Sequence, residues 1–134
     1  MTEYEAVYLF RELIADLHQS MFDYVSLLSA FLVASYLIAD KISSVLTVVL
    51  ITLYSLVALN FAFQFFLMST DAVSLYDFIL EQKEVGEFDL EWFGKNPAWA
   101  GYMASTTRIS TAVGGYVGSL VFFFYQRHKK NDAG

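Results

Sequence analysis

Long apolar stretches separated by short polar ones dominate the pattern of this chain. The longest is uncharged and runs from Val45 to Met68. It covers about 24 residues, or about 36 Å at the rise of an α-helix, which exceeds the hydrocarbon thickness of about 30 Å of a bilayer. Further apolar stretches lie on both sides of it. The sequence therefore predicts an all-α fold, an integral membrane three-helix bundle with transmembrane helices at 21–39, 45–68 and 97–125.

Amphipathic and polar segments surround the three predicted spans. The connection over 40–44 is short and allows only an antiparallel hairpin. Apolar positions recur at helical spacing in 1–20 and again in the acidic segment 70–96, so we expect amphipathic outer segments next to the membrane. Asn96 and Pro97 suit the N-cap and the first position of the third helix. The whole chain is predicted to be a single membrane domain.

The basic residues predict the orientation of the chain. Lys41 lies in the first hairpin, and Arg127, Lys129 and Lys130 lie in the tail 126–134. Lysine and arginine in short loops are retained on the cytoplasmic side. We therefore expect a multi-pass protein of the cell (inner) membrane with its N-terminus outside and its C-terminus in the cytoplasm. The acidic start of the chain is unlike a cleavable signal, so we expect it to be kept.

The composition of the chain argues against catalysis and against metal or cofactor binding. Of 134 residues, 57% are hydrophobic and only 16% are charged, which is too apolar for a small soluble domain. The lack of cysteine excludes disulfides, thiolate metal sites and a thiol nucleophile. The acids of 70–96 lack the spacing of a calcium loop, and His18 and His128 fall in different compartments. We expect no enzyme activity, catalytic residue, cofactor, metal or nucleic-acid partner.

Four polar residues of the spans are predicted to share one depth. Counted from the cytoplasmic ends, Asp23, Asn60 and Arg108 each lie roughly 25 Å up, and Gln64 is one turn further out. Because ionisable groups in spans are costly unless they are paired or hydrated, we predict an intramembrane polar cluster of these four residues. An ion pair between Asp23 and Arg108 would relieve both charges.

Three interpretations of this cluster stay open. Arg108 can extend its head outward to the interface, with Asp23 marking the start of its span. The four residues can form a structural clasp between helices. A proton or ion relay is the third interpretation, but it needs titratable groups that continue to the other face. The inner halves of the spans offer only serine, threonine and tyrosine, which argues against a transporter.

Small residues at helical spacing predict close helix packing. One row lies on the third span, a second row lies beside it, and a partner row lies on the first span: Ser110, Gly114 and Gly118; Thr107, Thr111 and Gly115; and Ser26, Ala30 and Ala34. Such rows let two helix backbones approach closely in lipid. They can serve packing of the first span on the third or contact with another molecule.

Two functions follow from these features. The first is a structural or accessory membrane protein that self-associates or belongs to a larger membrane complex. The second is a homo-oligomeric pore or lesion former, because the arrangement of spans resembles that of three-span phage holins. A pore needs a polar stripe along a whole helix, and spans two and three provide only part of one.

Overall fold

The computed structural model of the chain describes residues 1–131 and, for Ala98, Lys130 and Asn131, only the backbone. It contains three helices: α1 (Glu3–Ile38), α2 (Ser44–Glu84) and α3 (Ala98–Asn131). The prediction of an all-α chain built on three helices is confirmed.

A capping box begins α1. The Thr2 hydroxyl accepts a hydrogen bond from the Glu5 amide at 3.3 Å, and the Glu5 carboxylate accepts one from the Thr2 amide at 2.8 Å. These two bonds satisfy amides that have no partner inside the helix. From there α1 continues without a break through the amphipathic segment and the first predicted span.

The hairpin after α1 is short. Lys41 closes the turn by donating its amide to the Ile38 carbonyl at 2.9 Å. Ser43 then caps α2, its hydroxyl accepting from the Leu46 amide at 3.3 Å. Since α2 starts directly after this turn, α1 and α2 run antiparallel.

α2 is a single helix of 41 residues that passes through the second span and most of the acidic segment. It ends in a Schellman motif, in which the amides of Gly86 and Glu87 donate to the carbonyls of Lys83 and Gln82. Gly86 has φ +81°, a left-handed conformation that glycine adopts without a Cβ clash.

α3 differs from its predicted bounds at both ends. It begins at Ala98, one residue after the predicted start at 97, and the Pro97 carbonyl accepts from the Ala100 amide. It also continues through most of the tail 126–134, to Asn131. The remaining residues of that tail, 132–134, lie outside the described part of the chain.

Two separate cores hold the molecule together. The bundle core joins all three helices, and a second cluster, the head core, joins the start of α1, the end of α2 and the segment that precedes α3. The bundle core comprises Tyr24, Leu28, Phe31, Ala39, Tyr54, Ala58 and Phe123. The head core comprises Ala6, Ile79, Phe88, Leu90 and Phe93. We call the end with the head core the head and the opposite end, with residues 39–43, the hairpin end.

The helices do not pack equally. α1 lies against both α2 and α3, whereas the backbones of α2 and α3 approach each other far less closely. A groove therefore follows the α2 and α3 sides of the bundle.

Most of the apolar surface faces outward. Among the described residues, α1 and α2 are long and apolar enough to cross a membrane, and 22% and 17% of their most apolar stretches are buried. α3 does not reach the same apolarity, because serine, threonine and glycine interrupt its apolar residues.

Candidate functional site

Tyrosine and serine hydroxyls connect the helices inside the bundle. Tyr54 and Ser119 share a hydrogen bond of 2.7 Å, and Ser55 and Tyr116 share one of 2.6 Å. Tyr24 donates to the backbone carbonyl of Ala112 at 2.6 Å. These are the contacts that join α2 and α1 to the middle of α3.

Aromatic stacking accompanies these hydrogen bonds. The rings of Phe31 and Tyr54 lie 3.8 Å apart between centroids and are nearly parallel, at 11°. Phe123 stacks on Phe31 at 5.8 Å between centroids, and the Tyr116 ring lies 5.7 Å from that of Tyr54. Aromatic pairs of this kind contribute about 0.5–1.5 kcal/mol beyond the area they bury. The middle of the bundle is thus a packed, hydrogen-bonded layer without an ionised group.

The four residues of the predicted polar cluster lie at similar heights but on different surfaces. The bonds that join Tyr24 to Ala112 and Ser55 to Tyr116 set the register, and they place the four within about two helical turns of one another. Three of them, Asp23, Asn60 and Gln64, are exposed.

Asp23 has a local partner. Its carboxylate accepts a hydrogen bond from the Gln19 amide group, one turn earlier on α1, at 3.0 Å. Within residues 1–131, no ion pair joins Asp23 to Arg108. The association of the four residues therefore stays a prediction.

Arg108 lies half-buried in a groove near the head. This Arg108 groove, of about 460 Å³, is bordered by all three helices and contains Leu17 of α1, Ser69 and Ala72 of α2, and Ser105 of α3. Asp23, Asn60 and Gln64 are not among its walls. In the described part of the chain, the Arg108 guanidinium makes no hydrogen bond or ion pair.

The predicted packing rows are mostly open in the structure. A Cβ added at Gly114 or Gly118 would meet nothing within 4 Å. On α1, Ser26 and Ala30 are exposed and Ala34 is half-buried. Ser110 is exposed too, and the pairing of this row with Ser26, Ala30 and Ala34 stays a prediction.

Gly115, of the neighbouring row, lies against α1. A Cβ there would lie 2.5 Å from Leu28 Cδ1, closer than side-chain atoms pack. Gly115 therefore lets α3 approach α1, while its neighbours Gly114 and Gly118 line an open apolar groove of about 650 Å³ together with Leu32 and Val33 of α1.

Arg127 of α3 is hydrogen-bonded to the hairpin end. Its guanidinium donates to the Ile42 carbonyl at 3.4 Å, to the Ser44 hydroxyl at 3.3 Å and to the Thr47 hydroxyl. These bonds fix the end of α3 next to the turn between α1 and α2.

Side chains also fix the segment before α3 in the head. The Glu3 carboxylate accepts from the Asp89 amide at 3.0 Å, and the Lys83 ammonium donates to the Phe93 carbonyl at 2.7 Å. The Arg11 guanidinium lies 5.7 Å from the centre of the Trp92 ring, within the range of a cation–π contact.

We also searched for a metal site and for similar proteins. Across the described residues, no group of three or more histidine or acidic side chains could hold a metal ion. No family model, curated protein or solved structure matches the chain.

Sequence reasoning missed the layer that joins the helices. The serines, threonines and tyrosines in the inner halves of the spans served there only as an argument against a transporter, although Tyr54 and Ser55 are adjacent and Tyr116 and Ser119 are one turn apart. Two hydroxyl pairs at matching heights on antiparallel spans are the signal that could have identified this contact.

Proposed function

We propose that this chain is a structural or accessory protein of the cell membrane that associates with a copy of itself or with other membrane subunits through α3. It crosses the bilayer three times, with the N-terminus and the head outside and the C-terminus in the cytoplasm. It performs no catalysis. The observation that carries the proposal is the open face around Gly114 and Gly118.

The distribution of apolar residues supports membrane placement. A helix in the core of a soluble protein would have most of its apolar stretch buried, but only 22% and 17% of those stretches in α1 and α2 are buried. Such an exposed apolar surface is stable only in lipid or against other proteins. Serine and threonine hydroxyls such as Ser26, Ser29 and Thr111 donate to carbonyls of their own helices, which lowers the cost of placing them in lipid.

The Arg127 contacts support a third crossing. If α1 and α2 span the bilayer, their hairpin lies at one surface and the head at the other. α3 starts in the head and is hydrogen-bonded to Ile42 and Ser44 at the hairpin end. A helix that connects these two ends beside α1 crosses the same thickness.

The open face of α3 supports association. Helices in lipid associate by close van der Waals contact, for which Gly-x-x-x-Gly rows leave room. Among the described residues, none lies within 4 Å of a Cβ added at Gly114 or Gly118, and the apolar groove beside them can accept the side chains of another helix.

The experiment that tests this proposal fills the open face around Gly114 and Gly118 with larger side chains. Gly114→Leu with Gly118→Leu should reduce the oligomer or the co-purified partner in mild detergent and leave the bundle intact. The measurements are mass by light scattering and native pull-down from membranes. Val117→Leu, also on an exposed part of α3, is the matched control.

Two results would contradict the proposal. A strict monomer without partners in mild detergent would remove the association. Collapse of the membrane potential on expression of the chain alone would favour the pore, which an accessory protein does not form.

A further inference from the structure

We infer that the Arg108 groove binds the phosphate of an anionic phospholipid, and that one acyl chain of this lipid lies in the groove between α2 and α3. This inference rests on the proposed placement of the bundle in a membrane. The charge, the depth and the shape of the site support it.

The charge of the site is positive and unopposed. None of the residues that line the Arg108 groove is acidic, and within the described chain the guanidinium has no hydrogen-bonded partner. Ser69 and Ser105 line the same groove, and no side chain of the described residues occupies their hydroxyls. A guanidinium with nearby hydroxyls is suited to a phosphate group, which takes several charge-assisted hydrogen bonds.

The depth of Arg108 matches a lipid headgroup. Arg127 marks the hairpin end, and Arg108 lies 19 positions earlier in the same helix, which is about 28 Å at helical rise. That distance is close to the thickness of a hydrocarbon core of about 30 Å. If Arg127 lies at the cytoplasmic surface, Arg108 lies at the level of the headgroups of the other leaflet.

Two apolar cavities lie between this level and the middle of the bundle. The first, of about 170 Å³, lies between Met21 of α1, Phe65 of α2 and Ile109 of α3, each within one helical turn of a residue that lines the Arg108 groove. It continues into a cavity of about 320 Å³ that shares Ala62 and Ala112 with it. We call these two cavities the chain slot.

Small side chains explain why the slot is open. Ala58 and Ala62 on α2 face Ala112 and Val113 on α3, where larger residues would close the gap between the two helices. The slot ends at the hydrogen bond between Ser55 and Tyr116. An apolar channel below a cation fits an amphiphile with an anionic head and a hydrocarbon chain, and this favours a phospholipid over a free phosphate ion.

The test measures lipid binding by native mass spectrometry of the intact chain in mild detergent. Phosphatidylglycerol, phosphatidylcholine and glycerol 3-phosphate are titrated separately. We expect phosphatidylglycerol to bind about tenfold more tightly than phosphatidylcholine, because both carry the phosphate but the choline ammonium neutralises the phosphatidylcholine headgroup and weakens its attraction to the guanidinium. Glycerol 3-phosphate should neither bind nor compete at the same concentration.

Two variants address the two parts of the site. Arg108→Gln should abolish the preference for phosphatidylglycerol. Arg11→Gln removes the same charge from the head but outside the groove and should keep it. Ala62→Phe should weaken both phospholipids by filling the slot, whereas Val57→Phe places a ring on an exposed part of α2 and should not.

Several outcomes would overturn the inference. Equal binding of the two phospholipids, or an unchanged preference in Arg108→Gln, would remove the headgroup site. Competition by glycerol 3-phosphate would replace the lipid with a soluble anion. Membrane placement is checked separately by extraction of membranes at alkaline pH. A chain that stays in the membrane but shows no lipid preference contradicts only the lipid site, and a chain that is released contradicts the proposed function.

Discussion

At the scale of single residues, adjacent glycines have different roles. Gly115 lies against Leu28, and Gly114 lies in open space. Both glycines lie in the same turn of α3 and lack a side chain. Only at Gly115 does this lack of a side chain allow α3 to approach α1. Comparing the two separates the packing effect of a methyl group from its effect on helix propensity.

We expect Gly115→Ala to lower the free energy of unfolding by about 1–3 kcal/mol, because Leu28 must leave its position to accommodate the added methyl group. Gly114→Ala should keep or raise that free energy, by up to about 1 kcal/mol, through helix propensity. The measurement is unfolding in mixed detergent and SDS micelles, followed by circular dichroism.

Leu28→Ala provides the control for this pair. In that background the methyl group of Gly115→Ala has room, so the two changes should be strongly non-additive. Equal effects of Gly114→Ala and Gly115→Ala would show that α3 does not contact α1 through Gly115.

Glu5 is a second residue with a defined local role. The hydrogen bond from the Thr2 backbone amide holds the pKa of the Glu5 carboxyl below its ordinary value, and the Thr2 hydroxyl contributes a smaller effect in the same direction. A lowered pKa in the folded state means that the ionised form stabilises the first turn. That stabilisation is complete above the ordinary glutamate pKa and is lost as the pH falls through the lower folded value.

Acidification should therefore fray the first turn of α1. We expect the Cα chemical shifts of residues 3–6 to move toward coil values as Glu5 becomes protonated, while the shifts of the bundle stay constant. In Glu5→Gln the amide keeps the capping geometry without titrating, so this transition should vanish. Its persistence in Glu5→Gln would show that the capping bond of Glu5 is not its cause.

At the scale of elements, the sequence predicted the helices better than their contacts. The uninterrupted apolar run and the recurrence of Ala6, Phe10 and Leu17 indicate long helices, because helix formation depends on local periodicity. The faces that meet depend on how three helices pack together. For that reason spacing alone does not show which of Gly114 and Gly115 contacts α1. It also does not show that Tyr54 is hydrogen-bonded to Ser119.

The same distinction applies to the candidate sites. The common height of Asp23 and Arg108 follows from counting residues along helices, since rise is fixed. Their direction around the helix axis depends on packing, and the structure turns Asp23 toward Gln19 and Arg108 into a groove. Height could be predicted from sequence, whereas the grouping of residues around a site could not.

The head is an element that should unfold separately from the bundle. Phe93 is 5% exposed and its ring lies 5.5 Å from Phe10 and 5.2 Å from Tyr76. No member of the head core belongs to the bundle core. Local opening of such a unit requires less free energy than global unfolding.

Phe93→Ala should destabilise the head by about 3 kcal/mol or more, because it empties a buried aromatic site. We expect limited proteolysis within 86–97 to accelerate, while unfolding of the helices in SDS stays unchanged. Trp92→Ala, at a side chain that is 54% exposed, is the control and should have a smaller effect. Loss of the whole fold in Phe93→Ala would show that head and bundle are one cooperative unit.

At the scale of the whole molecule, charge differs between the two ends. Acidic residues dominate the head, and the basic side chains of Lys41, Arg127 and Lys129 lie near the hairpin end. This asymmetry matches the rule that retains basic loops in the cytoplasm. The proposed topology can be tested with single introduced cysteines, because the chain has no cysteine of its own.

Single cysteines at the two ends should be labelled from opposite sides of the membrane. Glu87→Cys in the head should react with an impermeant maleimide in intact cells, because its side chain is exposed and the head faces outward in the proposed topology. His128→Cys, near the end of α3, should react only after permeabilisation. Neither change removes a lysine or arginine, so the charges that determine orientation stay the same.

The reverse labelling pattern would show that the topology is inverted. Labelling of both positions in intact cells would mean that α3 does not cross, and then the contact of Arg127 with the hairpin end would have to be absent in the membrane.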